Sequence, residues 1–302
     1  MAARRWWVAA LAAMSLSCGG GDSGAGRGYQ LDPELASPVP ADTVTLAGGR
    51  WDLLQKSPLY ARLKPMLPAE GIDGFASRFG FDPRKDIKEF VVAYNGRDPL
   101  FLVSGSFQTG DLMAKLGAEA GAERTVYKGK ALVTRGNGGV AALSGKVMAA
   151  GPVRRLHEAI DRLAAAAKLD ERWAAGLRAL PPASQLWFLS SGGATLNFPR
   201  GSNLGNIDKI LGSVDSLSAW ADLSKSAHLA ATALTRDAAA AKQLHTQLRG
   251  LIGMGRLSTP DNKPQLLKFY DAIQTKLDDK KIELDLDIPE ATLEILLEQF
   301  RP

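Results

Sequence analysis

The chain reads IKEFVVAY at residues 87–94, NG at 95–96 and LFLVSGSF at 100–107. Asn and Gly accept positive φ angles, so an Asn-Gly pair between two apolar runs predicts a β-hairpin. A short amphipathic helix and the turn at Phe81-Asp82-Pro83 precede this hairpin, and a second helix is expected to open near Asp111. This block, from Gly71 to Leu116, is the unit around which the rest of the chain is arranged.

A looser copy of the block follows in the second half of the chain, from Gly205 to Leu248. It contains a helix ending at Gly212, strands near Leu217–Leu223 and His228–Leu234, and a helix that opens at Asp237. A strand led by Pro-Ala also recurs, at residues 40–49 and again at 182–193, and each copy ends in Gly-Gly. Features that repeat in a fixed order indicate duplicated architecture even where few residues are identical.

Closely spaced turn signals predict that the sheets are antiparallel. Further hairpin tips are expected at Lys128-Gly129, Asn137-Gly138 and Ser144-Gly145. Each half closes with a strand that runs into a proline-initiated helix, at Pro152 and at Pro289. The expected fold class is therefore α+β, with two tandem related modules, each an antiparallel sheet with helices packed on one face.

These patterns divide the chain into four segments. We expect a signal peptide at residues 1–17, a lipidated cysteine with a flexible Gly/Ser/Pro tether at 18–39, a first module at 40–180 and a second at 181–302. The boundary between the modules falls at Pro181-Pro182. At 302 residues the chain is long enough for two domains with cores of their own.

Composition is that of a globular protein, with 45% hydrophobic and 23% charged residues. The formal net charge is +5, and no long basic run is present. Nucleic-acid-binding domains usually carry a clustered basic surface, so no nucleic acid is expected among the partners.

The amino terminus has the order of an export signal. Arg4-Arg5 are followed by an apolar stretch from Trp6 to Leu16, which is too short to span a bilayer comfortably. Cys18, the only cysteine of the chain, closes this stretch, and a glycine-rich run follows at residues 19–26. A lone cysteine has no disulfide partner within the chain.

Residues 1–27 resemble a bacterial lipoprotein signal. The resemblance implies that Cys18 is lipidated and becomes the mature amino terminus, and that Gly19, in place of Asp, directs the protein to the outer membrane facing the periplasm. The sequence departs from the family pattern at Ser15, where a branched aliphatic residue is usual. An ordinary secretory signal with an incidental cysteine is the alternative. In its overall organisation the chain is similar to bacterial envelope lipoproteins with two similar halves, a resemblance that implies no activity.

The sequence offers no recognisable catalytic set. His157, His228 and His245 are the only histidines, and each is expected to be structural or solvated. Neither a His-Glu-x-x-His metal motif nor a Gly-x-Ser-x-Gly nucleophile elbow occurs. No catalytic residue, cofactor or enzymatic activity is therefore predicted.

Glu283, Asp285 and Asp287 form the best polar constellation. Alternation along a strand places these three carboxylates on one face and apolar residues on the other. Such a face can hold a hard cation such as calcium, or provide an acid/base pair. The favoured interpretation is a solvent-facing strand surface neutralised by lysines of a neighbouring strand.

The segment Gly250–Gly255 is both apolar and glycine-rich. It is interpreted as a helix end tucked into the core, with a mobile lid or a loop that touches lipid or a partner as alternatives.

Taken together, these features favour a lipid-anchored cell-envelope binding or scaffolding protein without catalytic activity. The membrane would be contacted through the N-terminal lipid, and the other partner would be an envelope protein or a small apolar ligand. The alternatives are a periplasmic carrier that holds an apolar ligand between sheet and helices, and a hydrolase of unfamiliar type. A hydrolase would need acidic residues and a histidine to converge in one cleft.

Overall fold

The computed structural model describes residues 28–63, 73, 76–192, 213–260, 264–288 and 292–293. Its strands are β1 Thr45–Arg50, β2 Ile87–Tyr94, β3 Pro99–Gly105, β4 Glu123–Tyr127, β5 Lys130–Arg135, β6 Gly138–Ala142, β7 Val147–Pro152, β8 Leu186–Ser191, β9 Val214–Asp222, β10 Ala227–Thr235, β11 Ile273–Asp278 and β12 Lys281–Ile288. Its helices include α1 Pro33–Ala36, α2 Trp51–Lys56, α3 Tyr60–Leu63, α4 Pro83–Asp86, α5 Thr109–Leu116, α6 Val153–Ala164, α7 Glu171–Ala179, α8 Ala238–Leu257 and α9 Gln265–Ala272. The predicted signal peptide, Cys18, the helix expected to end at Gly212, and Pro289 lie outside the described residues.

The fold is a mixture of helices with a large antiparallel sheet. Twelve strands form one sheet in the order β11-β12-β10-β9-β8-β1-β2-β3-β7-β6-β5-β4. β1 and β8 pair antiparallel at its centre, with Leu46 opposite Leu189. From this pair the sheet runs outward as β1-β2-β3-β7 on one side and as β8-β9-β10-β12 on the other. The two halves thus share one sheet, where the sequence predicted two sheets.

The pairing of β1 with β8, which joins the two halves into one sheet, is explained by the backbone groups at the edges of these strands. An unpaired edge strand exposes a row of backbone donors and acceptors, and pairing the two strands satisfies both rows. The central pair also joins the cores, because Trp187 and Leu189 of β8 are buried in the same cluster as Leu46 and Val91. Pro181-Pro182 is therefore a turn into the sheet, with a continuous core on both sides of it.

The two central strands are entered by the same turn. The Thr43 hydroxyl donates to the Pro40 carbonyl at 2.7 Å, and the Ser184 hydroxyl donates to the Pro181 carbonyl at 2.9 Å. Pro40 therefore corresponds to Pro181, one residue earlier than the Pro-Ala match in the sequence indicates.

The predicted hairpins are present, with one shift. The β2–β3 and β4–β5 turns contain Asn95-Gly96 and Lys128-Gly129, and both Gly96 and Gly129 have positive φ angles, of 90° and 76°. The β5–β6 turn lies at Gly136-Asn137 instead of Asn137-Gly138, because Gly136 is the residue with positive φ, at 59°. In the second half, β9 and β10 confirm the two predicted strands. The Asp237 side chain caps α8 by accepting from the backbone N–H of Ala240 at 2.7 Å.

Helices cover both faces of the first half of the sheet, so the expectation of one covered face is wrong there. We call the side that carries Leu46, Val91 and Leu102 the front face, and the opposite side the back face. On the front, α1, α6 and α7 contribute buried residues to the core, namely Leu35, Leu156, Trp173 and Leu177. On the back, Leu112 and Met113 of α5 pack with Val133 and Met148. Apolar residues at both parities of β2 and β3 make this three-layer arrangement favourable.

The second half of the sheet is covered on its back face by α8 and α9. Ala241 and Leu244 of α8 pack on Val214 and Ile282, and Phe269 of α9 packs near Leu286. The front face of β10 and β12 carries His228, Asp285 and Leu234, whose side chains reach solvent.

Residues 28–39 are structured, so the prediction of a flexible tether is wrong for this part of 18–39. Tyr29, Leu35 and Val39 are buried in the front core. The Tyr29 N–H donates to the Leu180 carbonyl at 3.1 Å. Apolar residues in this stretch are buried as completely as those of the strands and helices, although it contains proline and glycine. The composition of the stretch did not indicate this burial.

The Gly250–Gly255 segment lies inside α8, so it is not a loop, whereas contact of this segment with lipid or a partner stays a prediction. It is not tucked into the core either, since Met254 is exposed. Within the described ranges, no helix combines the length and the apolar character needed to cross a membrane.

Candidate functional site

A groove with an internal volume of about 690 Å³ opens between residues 28–37, which we call the N-terminal segment, and the pair α6–α7. Its walls are mostly apolar and include Leu31, Leu163, Ala167, Leu169, Ala174 and Leu177. The groove lies on the outer side of the helical layer that covers the front face of the first half.

The walls of the groove are set by local packing. α6 buries Leu156 and Ile160 against the sheet, which leaves Leu163 near its end to line the groove. α7 begins at the Asp170 cap, whose carboxylate accepts from the Arg172 N–H at 3.0 Å. The N-terminal segment runs so close to α7 at Gly28 that an added Cβ would overlap the Arg178 carbonyl, so only glycine fits there.

Three charged residues stand at the groove. The Glu34 carboxylate accepts from the Ser144 hydroxyl at 2.6 Å and lies 3.3 Å from the Lys146 ammonium. Arg178 is paired with Glu171. Lys168 forms no ion pair with any side chain in the described ranges, so the groove carries one cation without a neutralising partner.

A buried tyrosine–glutamate pair supports the groove from below. The Tyr29 hydroxyl donates to Glu89 Oε1 at 2.7 Å. The Tyr29 ring packs edge-on against Trp187 at 5.6 Å and lies 4.5 Å from the Arg50 guanidinium. Burial, aided by the neighbouring carboxylate, raises the pKa of Tyr29, so its hydroxyl keeps the proton that it donates. Burial also raises the pKa of Glu89, although the bond from Tyr29 partly offsets this effect.

Glu89 belongs to a row of polar residues across the front face that sequence reasoning missed. Strand register places Glu89 opposite Arg50 on one side of the row, and Asp222 opposite His228 and His228 opposite Asp287 on the other. Gln185, the residue before β8, joins the two sides, because its carbonyl accepts from the Arg50 N–H at 2.9 Å. Gln185 Nε2 donates to Asp222 Oδ1 at 3.2 Å. Burial would raise the pKa of Asp222, but hydrogen bonds from Ser224 and Gln185 outweigh it and lower that pKa. A charged residue inside an otherwise apolar strand, such as Glu89, was the sequence feature that could have indicated this row.

A second charged cluster fixes α6 to the turn before β1. Arg155 is fully buried and donates to Asp42 Oδ1 at 2.6 Å and to Glu158 Oε2 at 2.7 Å. Burial would raise the pKa of Asp42, but hydrogen bonds from Arg155 and Asn95 outweigh it and lower that pKa. Because the cluster joins two structural elements and lies outside the groove walls, we assign it a structural role.

The three histidines lie on separate elements. His157 of α6 stacks on Tyr127 with ring centroids 4.0 Å apart. His228 Nε2 is 2.9 Å from Asp285 Oδ2, on the open front face. His245 of α8 hydrogen-bonds the Thr275 hydroxyl at 3.1 Å. No histidine lines the groove, so the described residues do not place a histidine and a carboxylate together there.

Two of the three predicted carboxylates of β12, Glu283 and Asp285, have side-chain partners on the open face. Glu283 lies 2.7 Å from Lys281 and 3.8 Å from Lys276 on β11, and Asp285 pairs with His228. The hydrogen bond from Lys281 lowers the pKa of Glu283. The expected neutralisation by lysines of a neighbouring strand is met only by Lys276 at Glu283, since Lys281 belongs to β12 itself and Asp285 pairs with a histidine. Among the described side chains, no group of three His, Cys, Asp or Glu residues, Asp287 included, is arranged to hold a metal ion.

No protein-family model matches the chain, and no curated protein matches it in sequence. Among solved structures, crystal form I of TP0453 is similar with a TM-score of 0.49 and 11% identity, over 90% of this chain and 99% of that chain. Crystal form IV of TP0453 gives a TM-score of 0.48 and 10% identity, over 89% and 96% of the two chains. This similarity is too low to assign a family or a function.

Proposed function

We propose that this chain is a lipid-anchored cell-envelope protein that binds an apolar ligand in the groove and catalyses no reaction. The observation that carries the proposal is the groove itself. Small-molecule sites are typically concave, mostly apolar and roughly 300–1,000 Å³ in volume, and the volume of about 690 Å³ between the N-terminal segment and α6–α7 lies within that range.

The walls and charges of the groove suggest the chemistry of the ligand. Leucine and alanine side chains line it, so desolvation of an apolar chain is the main source of binding free energy. Lys168 supplies a cation without an ion-pair partner in the described ranges, and it complements an anionic group at the end of such a chain. A single-chain amphiphile with a carboxylate or phosphate head meets both requirements.

Anchoring at the membrane is the other part of the proposal. It is supported by the lipoprotein-like order of Arg4-Arg5, an apolar stretch and Cys18. Only residues 19–28 separate Cys18 from Tyr29, the first residue of the groove wall. An acylated Cys18 would keep the groove near the outer-membrane surface that supplies apolar ligands, on the periplasmic side.

We also propose that the two halves arose by duplication. The matching order β1-β2-β3-β7 and β8-β9-β10-β12 supports this, as do the equivalent turns at Thr43 and Ser184. The groove lies in the first half, where α6 and α7 follow β7.

A matched pair of neighbouring alanines on α7 tests the groove. Ala174 lines it, whereas Ala175 is exposed and lies outside its walls. Native mass spectrometry of the protein, extracted gently from its own envelope, is expected to show a retained small-molecule mass in the wild type and in Ala175→Trp. Ala174→Trp should lose that mass, because the indole occupies the groove.

Two results would contradict the proposed site. One is equal retention of the ligand by Ala174→Trp and Ala175→Trp. The other is a bare wild-type protein that also fails to bind a fluorescent fatty acid saturably. A protein that co-purifies in place of a small molecule would favour the scaffolding alternative. An acidic residue and a histidine found together beside a bound substrate would favour the hydrolase.

Cys18→Ala tests the anchor. Wild-type protein is expected to stay with membranes through a high-salt wash, because acyl insertion does not depend on charge screening. Cys18→Ala should be released to the soluble periplasmic fraction by the same wash. If Cys18→Ala remains bound after the wash, lipidation of Cys18 is not what holds the protein.

A further inference from the structure

The C-terminal half of α8 presents large apolar side chains to solvent. Leu251 is 40% exposed, Met254 58% and Leu257 90%, and Leu267 of α9 is 37% exposed. These are four of the seven large hydrophobic side chains that are exposed in the described part of the chain. Apolar exposure that is concentrated on one surface, and not scattered, marks an interaction site.

This surface is separate from the face by which α8 packs on the sheet. Ala241 and Leu244 are buried against the back face, and Gly255 lies against the Tyr270 ring of α9. With 3.6 residues per turn, Met254 and Leu257 rotate away from that packed face. The helix surface beside them is also open, because an added Cβ at Gly250 or Gly253 would meet no atom within 4 Å. α8 thus carries apolar residues both on the side that packs on the sheet and on the side that faces solvent.

The charges on α8 are all positive. Residues 238–257 contain Lys242, Arg249 and Arg256 and no aspartate or glutamate. Arg256 is paired with Asp271 of α9, whereas Lys242 and Arg249 form no ion pair with any described residue. Lys268 of α9 adds a further exposed cation.

From these contacts we infer that the outer surface of α8 and the start of α9 dock onto an anionic phospholipid bilayer. Leu251, Met254 and Leu257 enter the boundary between head groups and acyl chains, and the unpaired cations face lipid phosphates. This combination of exposed apolar residues, flanking Lys and Arg, and no carboxylate is typical of helices that lie in a membrane interface. The inference uses no groove residue, so it stands or falls separately from the proposed ligand site.

A second copy of the chain is a poorer occupant of this surface. A twofold contact would bring the same helix of two copies together. Lys242 and Arg249 of both copies would then meet without any carboxylate on α8 to neutralise them. Like charges placed across an interface oppose association. Anionic lipid supplies the missing negative charge, and a copy of the chain does not.

Site-specific fluorescence on the full, acylated protein tests the inference. Leu257→Cys is labelled with an environment-sensitive dye, and Val126→Cys on β4, which is 73% exposed, serves as the matched control. Both variants carry the same Cys18, so any label there contributes equally. On vesicles of phosphatidylglycerol and phosphatidylethanolamine that hold a lipid-attached quencher, the Leu257→Cys label should be quenched several-fold more than the Val126→Cys label.

The contribution of charge is measured in the same background. Adding Lys242→Gln or Arg249→Gln to Leu257→Cys should lower the ratio of docked to undocked protein by about fivefold for each cation removed. Quenching should also fall on vesicles of neutral phosphatidylcholine. Equal quenching of the Leu257→Cys and Val126→Cys labels on anionic vesicles would overturn the inference. So would protection of the Leu257→Cys label without vesicles together with a dimer mass, which would assign the surface to a second copy.

Discussion

The two halves of the sheet share a strand order but differ in what covers their front faces. In the first half, Val91 and Leu102 lie under α6, α7 and the N-terminal segment. At comparable places in the second half, Thr232 is flanked by Ser218 and Glu283, and its neighbours on that face reach solvent. One arrangement has three layers and the other, in its described part, has two.

The difference in covering gives the two halves different accessible surfaces. The extra layer of the first half creates a space between two sets of covering elements, and that space is the groove. The second half has no second helical layer in its described part, and three of its five exposed large apolar residues, Leu251, Met254 and Leu257, lie on the outside of α8. We therefore propose that ligand binding belongs to the first half and surface contact to the second.

The largest difference in stability is expected when a lysine is placed on the front face of each half in turn. Leu102→Lys puts an ammonium group between Val91 and Ala149 in the buried core, and should cost about 4 kcal/mol or more. Thr232→Lys places the same group beside Glu283 in solvent, and should change stability by less than about 1 kcal/mol. Chemical denaturation of both variants measures the difference.

Leu102→Met separates the effect of charge from that of packing. It retains an apolar side chain of similar volume, and should cost less than about 1.5 kcal/mol. Similar losses of stability in Leu102→Lys and Thr232→Lys would mean that the two front faces are equally covered, against the comparison.

Part of this difference was readable from the sequence. Adjacent apolar residues such as Val91 and Val92 predict a strand buried on both faces, whereas the alternation of Ile282 and Glu283 predicts one solvated face. The alternation of β12 is typical of a sheet covered on one face, and this pattern does not hold for β2. Applying the same rule to β2 would have predicted three layers.

Other parts were not readable. Both Pro-Ala strands were recognised as equivalent, but nothing in either one indicates that β1 and β8 pair with each other. Such a long-range choice depends on which edges are free after local hairpins form. The groove was missed because one wall is the N-terminal segment, which resembles a linker: it contains Pro33, and it lies between a glycine-rich run and Pro38. Only the spacing of Tyr29, Leu31 and Leu35 pointed to packing.

A smaller difference in stability is expected when a leucine is truncated to alanine in each half in turn. Leu35→Ala removes a fully buried side chain of α1 and should destabilise the protein by about 3 kcal/mol. Leu257→Ala removes an exposed side chain of α8 and should change stability by no more than about 0.5 kcal/mol. Thermal or denaturant unfolding compares them. A negligible loss in Leu35→Ala would show that the N-terminal segment is not part of the core.

The smallest effect is a difference in pH dependence between two glutamates. Burial raises the pKa of Glu89 above its ordinary value of 4.5, so the folded state holds a proton that the unfolded state releases first. Stability from this group is therefore full below pH 4.5 and falls as pH rises through the raised pKa, with a slope of at most about 1.4 kcal/mol per pH unit. Glu89→Gln should remove this fall, because an amide does not titrate, and its oxygen can still accept the hydrogen bond from Tyr29. The difference between wild type and variant in urea unfolding, measured from pH 4 to 8, isolates it.

Glu283→Gln is the matched control from the second half, and its sign is opposite. The hydrogen bond from Lys281 lowers the pKa of Glu283. The contribution of Glu283 to folding stability is therefore present above its ordinary pKa, and it is lost as pH falls through the lowered pKa. Because this pair is exposed and screened by solvent, the change should be much smaller than that of Glu89→Gln. If Glu89→Gln follows the wild-type pH profile, or if both variants shift it in the same direction, then Glu89 is as solvated as Glu283. The N-terminal segment would then not seal the front face of the first half.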